Sequence, residues 1–346
     1  MKKNKPEKVI CAMSGGVDSS VAAALLKRAG FSVVGIFLKL ADLPRFQKGE
    51  KNAKKVAKNL KISLLVLDLK KEFKKKIIDE FLKEYKMGRT PNPCVVCNRE
   101  MKFEFLLKER IAKKADFIAT GHYARLRREI PKFKLLKGKD KEKDQSYFLW
   151  QLNQKQLRHA LFPLGNYTKK QVKNIARNCK LPIFKAPESQ EICFIRATTA
   201  DFLKKHLKSK KGRITDTQGK TIGRHLGLPF YTIGQRKGIG ISGGPYYVLR
   251  KDLKENILVV TKCEKDLLRK ELTAKMVNWI SGNKPKFPLK IRVKIRYRHK
   301  AAPATISKIA NNKYKIIFKK PQRAITPGQS VVFYTGQELL GGGIID

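Results

Sequence analysis

The sequence predicts an α/β chain: a helix-covered parallel sheet first, then a small β-rich segment, then a C-terminal β-barrel. Three observations predict it. Over roughly the first 130 residues, short apolar runs alternate with helical patterns, as a parallel sheet covered on both faces requires. From about residue 150 to 208 the pattern stays helical. After "KSKKGRITD" (208–216), short alternating runs with turn residues take over, the mark of small β domains or a barrel. These shifts divide the chain into 1–207, 208–273 and 274–346, the second joint lying in "LTAKMVNWISGNKPK" (272–286). No internal repeat is present.

Element by element, "KVICAM", "SVVGIFL", "ISLLVLDL" and "DFIATGH" read as strands, and residues 17–29, 49–60, 70–86 and 99–114 as helices. In the first helix Val17, Val21, Ala24 and Leu25 share one face. This is a Rossmann-like arrangement, and such sheets take ligands at the carboxyl ends of their strands. Two loops sit at such ends, Ser14–Gly16 and "ATGHY" (119–123), so one crevice should hold both. Further on, "TKKQVKNIARNCK" is the clearest helix. "GPYYVLRKDLKENILVV", "LKIRVKIRYRHK", "KYKIIFKK" and "QSVVFYTGQELLGGGII" supply the later strands.

The chain has 346 residues, 78 Lys and Arg against 28 Asp and Glu, and a formal charge of +50. That excess suits a polyanion, most simply a nucleic acid; a general lysine richness, spread through "KKEFKKK" and "KEKD", is the plainer alternative. No apolar run approaches the roughly 20 residues of a membrane span. The basic start "MKKNKPEK" leads straight into a strand, without a signal-peptide apolar region. The expectation is a cytoplasmic protein with no membrane partner.

In "VICAMSGGVDSSVAAALLKRAG" (9–30) a strand ends in Ser-Gly-Gly and turns directly into a helix. Free N–H groups and the helix dipole suit an anion there, and glycine lets the backbone come close. No lysine follows, unlike the loop that serves γ-phosphate transfer. An ordinary turn capped by Asp18 or Ser19 is the other reading.

Six cysteines, at 11, 94, 97, 179, 193 and 263, do not form a disulfide framework in a chain of this kind. Cys11, Cys179 and Cys263 read as small buried hydrophobes. "GRTPNPCVVCNREMKF" (88–103) is different. Its prolines and asparagines force a loop, and Asn98 reads as the N-cap of the following helix. Cys97 would then lie at a helix N-terminus beside Arg99 and Lys102, with Arg89 near in sequence. Its thiol pKa should be lowered. A Cys-x-x-Cys is also half a zinc site, but no second half exists in the chain. Cys193, in "APESQEICFIRA" (186–197), follows a polar loop.

Taken in order, "SGGVDSS", "RTPNPCVVCN", "ATGHY", "KDQSYFLW", "EICFI", "YTIGQRKG", "IRYRH" and "TPGQSVVFYTGQELLGGGII" resemble the bacterial tRNA-specific 2-thiouridylases, from about residue 8 to the C-terminus. The first motif alone marks only the wider ATP-pyrophosphatase group; the ordered set is specific. The resemblance implies an adenine nucleotide α-hydrolase-like first domain and ATP as the activating nucleotide, with Mg2+. ATP would be attacked at its α-phosphorus by the C2 oxygen of the wobble uridine. Cys193 would carry sulfur as a persulfide, Cys97 would release it to C2, and a Cys97–Cys193 disulfide would result. The nucleotide pocket would comprise Ala12, Met13, Ser14, Gly15, Gly16, Val17, Asp18, Ser19, Leu38 and Gly121. Asn92, Pro93 and Cys94 would meet the target base. His122, Lys143, Asp144, Gln145, Arg296, Tyr297 and Gln329 would touch tRNA. The implied partners are tRNAs for Lys, Glu and Gln and a persulfide-donating protein. For Arg296 and Tyr297, alternating Arg and Tyr on a strand offers phosphate pairing with a stacking face; a solvated strand edge is the plainer alternative.

The sequence departs from the family twice. Many relatives have Asp, with an acid/base role, where Cys94 stands. A thiol titrates near ~8.5 rather than ~3.9. Cys94, Cys97 and Cys193 also form a trio that could hold an iron–sulfur cluster, a route placed behind the persulfide one. Second, the acidic stretch many relatives carry after "GIFLK" is here the basic "LADLPRFQKGEKNAKK". Two rival functions remain. An ATP-dependent amidating ligase would need neither reactive cysteines nor basic β domains. A non-catalytic RNA-binding protein would not need an intact glycine loop.

Overall fold

A computed structural model describes residues 5–184, 192–208 and 210–346. β1 (Lys8–Ala12), β2 (Ser32–Lys39), β3 (Ser63–Asp68) and β4 (Phe117–Ala119) are the four strands expected from the sequence. A hairpin of β5 (Ala124–Glu129) and β6 (Lys132–Lys137) follows, and β7 (Ala160–Leu161) completes the sheet. The order is β3-β2-β1-β4-β7, parallel throughout. The chain builds outward from β1 to β3, then returns to β4 on the other side. That reversal between β1 and β4 opens the ligand crevice of a parallel sheet.

Helix α1 (Val17–Arg28) follows β1 and α2 (Pro44–Asn59) follows β2. α1 is buried on more than one face, because the helix Lys169–Asn178 packs on its far side. α2 begins at Pro44, before the expected residue 49, since proline fits the first turn of a helix. The expected helix 99–114 begins earlier too, running from Pro93 to Ala112 with a π-helical stretch, Cys97–Phe103. The helical region after residue 150 contains Gln154–Arg158, Lys169–Asn178 and Thr199–His206. Side chains of Asn153, Thr168 and Thr198 cap these helices.

β8 (Gly212–Thr215), β9 (Thr221–His225), β10 (Tyr247–Asp252) and β11 (Ile257–Thr261) make a four-stranded sheet ordered β10-β11-β8-β9. β12 (Leu268–Trp279), β13 (Leu289–Lys294), β14 (Ala302–Ala310), β15 (Lys313–Arg323), β16 (Ser330–Thr335) and β17 (Glu338–Ile345) follow. Their order, β12-β15-β14-β13-β16-β17, closes through β12–β17 into a six-stranded barrel around Trp279, Tyr314, Phe318 and Phe333. The β5–β6 hairpin joins the outside of β17, pairing Leu136 with Glu338. It ties the first part of the chain to the last. No helix among the described residues is long and apolar enough to cross a membrane.

Candidate functional site

β1 pairs with β4, Cys11 opposite Ala119, so the loops after both strands meet at one edge. Gly15 has φ +75°, and a Cβ on it would sit 2.0 Å from the Gly49 carbonyl oxygen. Gly49, in turn, lets α2 approach the Ser14 carbonyl. Gly121 packs on the start of α1: its Cβ would lie 2.8 Å from the Ser19 nitrogen. Only glycine satisfies all three approaches. Gly16 caps α1 with no side-chain hydrogen bond, and the first intrahelical N–H belongs to Ser20. The N–H groups of the first turn therefore have no intrahelical acceptor, as an anion site requires. Ser19 Oγ accepts from the Ser14 N–H at 3.1 Å and donates to the Gly16 carbonyl, so it holds the loop. Ala12 and Leu38 are half-buried, and Met13 and Val17 are buried in one core cluster.

Asp18 sits in the first turn of α1. One carboxylate oxygen, Oδ1, accepts from Tyr123 Oη at 2.8 Å and from Lys169 Nζ at 2.6 Å. Lys169 is only 8% exposed. A cation thus stands beside a loop whose sequence contains none, delivered by a distant helix. Sequence reasoning missed it; "TKKQV" signals only a helix start. Gly49 was also missed, although an isolated glycine in a helical pattern marks a close backbone approach.

The cysteine loop needs two corrections. Asn92, not Asn98, is the N-cap, and the helix starts at Pro93. Cys97 therefore lies past the first turn and is buried among Met101, Phe73, Phe194 and Ile195. Second, burial pushes its thiol up to about 12 rather than down. Of the nearby cations, Arg89 pairs with Glu84 and Arg99 with Glu100. Lys102 pulls the other way, less strongly than burial pushes. Cys94 is pushed up to about 11 by burial and by Cys193. It holds its proton at neutral pH.

Cys193 is half-buried and packs against the same apolar cluster as Cys97. Burial raises its thiol; Lys102 and Arg45 oppose the rise. Arg45 Nη1 donates to the Cys193 carbonyl at 2.9 Å. Arg45 and Gly49 are one turn apart on α2, so a single helix touches both the glycine loop and the Cys193 segment. The basic stretch "LADLPRFQKGEKNAKK" (40–55) supplies both contacts. Most of the polar loop before Cys193 (185–191) lies outside the described residues. Among the described residues no group of three or more His, Cys, Asp or Glu side chains is arranged to hold a metal ion. The three thiols, as they are placed, do not fit a cluster.

Cys11 is buried, as expected, and its thiol is pushed up to about 12. Cys179 is half-buried at a helix end, whereas Cys263 is exposed, contrary to expectation: it lies outside the strand, at the cap of Glu264–Leu267.

The residues linked with RNA by resemblance are largely engaged within the chain. His122 is 8% exposed; its Nδ1 lies 2.7 Å from Thr120 Oγ1. Burial, aided by Lys102, holds its imidazole well below the usual range. Asp144 accepts from the N–H groups of Gly138 and Ser146 and from Ser146 Oγ. Gln145 Oε1 accepts from the Tyr123 N–H, and the Lys143 N–H donates to Asp140. Arg296 and Tyr297 are not on a strand: β13 ends at Lys294 and a turn follows. Arg296 is drawn inward by the carbonyls of Ile233 and Ala324 and by Thr326 Oγ1. Tyr297 packs on Phe148, ring centroids 4.5 Å apart, with Lys294 over its ring. Gln329 Nε2 donates to the Thr90 carbonyl at 2.8 Å. Asn92 is half-buried and Pro93 buried beside Cys94.

Comparison with known proteins gives three adjoining matches. A tRNA methyl transferase HUP domain covers residues 7–197, a PRC-barrel domain of the same group 200–262, and an aminomethyltransferase β-barrel domain 269–345. Curated relatives match end to end under a different description. A protein of Halothermothrix orenii named tRNA-specific 2-thiouridylase MnmA is 45% identical, over 98% of this chain and 99% of its own. One of Buchnera aphidicola with the same name is 45% identical, over 100% and 98%. Among solved structures, the U34-tRNA thiolase NcsA of Methanococcus maripaludis is 19% identical, with a TM-score of 0.37, over 57% of this chain and 62% of that one. That likeness is too distant to inform the chemistry.

Proposed function

The chain belongs to the tRNA-specific 2-thiouridylase family, and on that premise we propose that it replaces the C2 oxygen of a wobble uridine in tRNA with sulfur, using ATP. One observation carries this reading. Cys97 and Cys193, far apart in sequence, share one apolar cluster, and α2 links that cluster to the glycine loop through Arg45 and Gly49.

The free N–H groups at the start of α1 fit the pyrophosphate end of ATP, with magnesium as its counter-ion, while the uridine oxygen attacks the α-phosphorus. Pyrophosphate leaves, and C2 now carries AMP, a better leaving group than oxygen alone. The outer sulfur of a Cys193 persulfide then bonds to C2, and AMP departs with the oxygen. Cys97 attacks the inner sulfur, so the bond between inner and outer sulfur breaks and a Cys97–Cys193 disulfide closes. The two cysteines lose two electrons and the transferred sulfur gains them. A thiol reductant must then restore both cysteines. Because burial keeps Cys97 protonated in the free chain, we infer that bound tRNA loosens this packing before attack. Lysine, glutamate and glutamine tRNAs are the proposed acceptors, and a persulfide-bearing protein the donor.

Mass spectrometry of hydrolysed tRNA tests the proposal. Cells without this protein, and with no second thiolase, should lack 2-thiouridine; undiminished 2-thiouridine would sink it. Purified protein should bind tRNA with an affinity that falls steeply with salt, as counterion release demands.

A further inference from the structure

Thr90 stands at the entrance of the loop that leads through Asn92 and Cys94 to Cys97. It is 8% exposed, and its polar groups reach two other parts of the molecule. Its N–H donates to the Pro327 carbonyl at 2.9 Å. Its carbonyl accepts from Gln329 Nε2 at 2.8 Å. Its hydroxyl lies 3.3 Å from that of Thr232, in the segment between β9 and β10. Gly328, at φ +89°, makes the approach possible: a Cβ there would sit 2.9 Å from the Thr90 nitrogen. The same barrel turn is fixed from its other end. Arg296 Nη2 joins the Thr326 hydroxyl at 2.7 Å to the Ile233 carbonyl at 3.2 Å.

Residues 90–92 precede the helix and have no ladder of their own, so their backbone groups need partners elsewhere. Those partners come from the barrel. Gln329 turns its two amide protons toward Thr90 and, at 3.5 Å, toward the Pro91 carbonyl. The oxygen left over is an acceptor and no partner for a phosphate.

We propose that Thr90 is a positioning residue through which the barrel turn 326–329 and Thr232 fix the cysteine loop over the crevice, with Gln329 serving as a strut. The inference rests on the thiolation reading above. Sulfur transfer requires Cys97 at bonding distance from one sulfur atom, and a misplacement of about 1 Å costs about 100-fold in rate.

The test uses the full chain, an unmodified tRNA transcript, ATP, and a cysteine desulfurase with L-cysteine as persulfide source. Thr232→Val and Thr90→Val, which each break the hydroxyl contact between the two residues, should each lower kcat for 2-thiouridine formation about 10- to 100-fold, with tRNA affinity in a separate binding assay unchanged. Thr90→Ser, which keeps the hydroxyl, should restore kcat; a purely structural defect would also weaken tRNA binding. Should Thr90→Val or Thr232→Val fail to fold, Thr90→Ala or Thr232→Ala takes its place. Unchanged kcat in Thr232→Val and Thr90→Val, or lost tRNA affinity at unchanged kcat, overturns the inference. Absence of 2-thiouridine with the unaltered protein would instead overturn the thiolation reading.

Discussion

The glycine loop and the cysteine pair share one edge of the parallel sheet but are built by opposite means. At the loop, geometry is imposed by contacts no side chain could replace: Gly15 against Gly49, and Gly121 against Ser19. Its free N–H groups stand ready before any nucleotide arrives. At the cysteines the same chain buries Cys97 and half-buries Cys193 against one aromatic cluster, and burial raises both thiols. On the proposed reading, nucleotide binding would be preformed, whereas sulfur chemistry would be held closed. A buried thiolate is costly, so on that reading closure would protect the thiols until substrate opens the packing.

Breaking the sulfur side should have the largest effect. Cys97→Ser or Cys193→Ser should each reduce 2-thiouridine formation to background while tRNA binding, followed by filter retention, stays intact; activity in either variant contradicts its role. Next comes the loop. Gly15→Ala drives a Cβ into the Gly49 carbonyl at a positive φ, and should lose ATP binding by calorimetry and about 1–3 kcal/mol or more of stability. Gly30 sharpens this, because it also has positive φ (+89°) but open space around its Cβ position. Gly30→Ala should cost only about 1–2 kcal/mol and leave ATP binding unaltered.

A smaller effect should follow Lys169→Met, which leaves Asp18 with Tyr123 alone among its side-chain partners described here. Urea unfolding should show a loss of about 1–3 kcal/mol, together with weaker ATP binding; no change would reduce the ion pair to a surface contact. The smallest effect concerns pH. Cys97 titrates at about 12 in the native chain, against ~8.5 unfolded. The native state keeps its proton longer, so stability present below ~8.5 is lost as pH climbs toward the native value. His122 acts in the other direction. Its lowered pKa gives stability above ~6.5 that is lost as pH falls below it. The urea midpoint should therefore plateau between these limits, and Cys97→Ser should flatten the alkaline limb. Iodoacetamide at pH 7.5 should label the exposed Cys263 before Cys97.

The same contrast governs what the sequence revealed. The first four strands and the shared crevice were legible because periodicity and glycine placement are local signals. The β5–β6 hairpin was not, because "ARLRRE" pairs with "KFKLLK", whose other edge finds its partner far along the chain on β17. Nor was the state of Cys97: helix position and neighbouring charge are local, but burial by Phe73 and Phe194 is not. Lys169 was invisible for the same reason. Arg296 reads as strand-borne in the sequence but lies in the turn after β13, where acceptors from two other segments hold its Nη2.

The most direct measurement is a single turnover without reductant. Protein loaded with persulfide on Cys193 is mixed with tRNA and ATP, then split for nucleoside analysis and peptide mapping. The account predicts one Cys97–Cys193 disulfide for every 2-thiouridine formed. Thiolated tRNA alongside free thiols at both positions would contradict it.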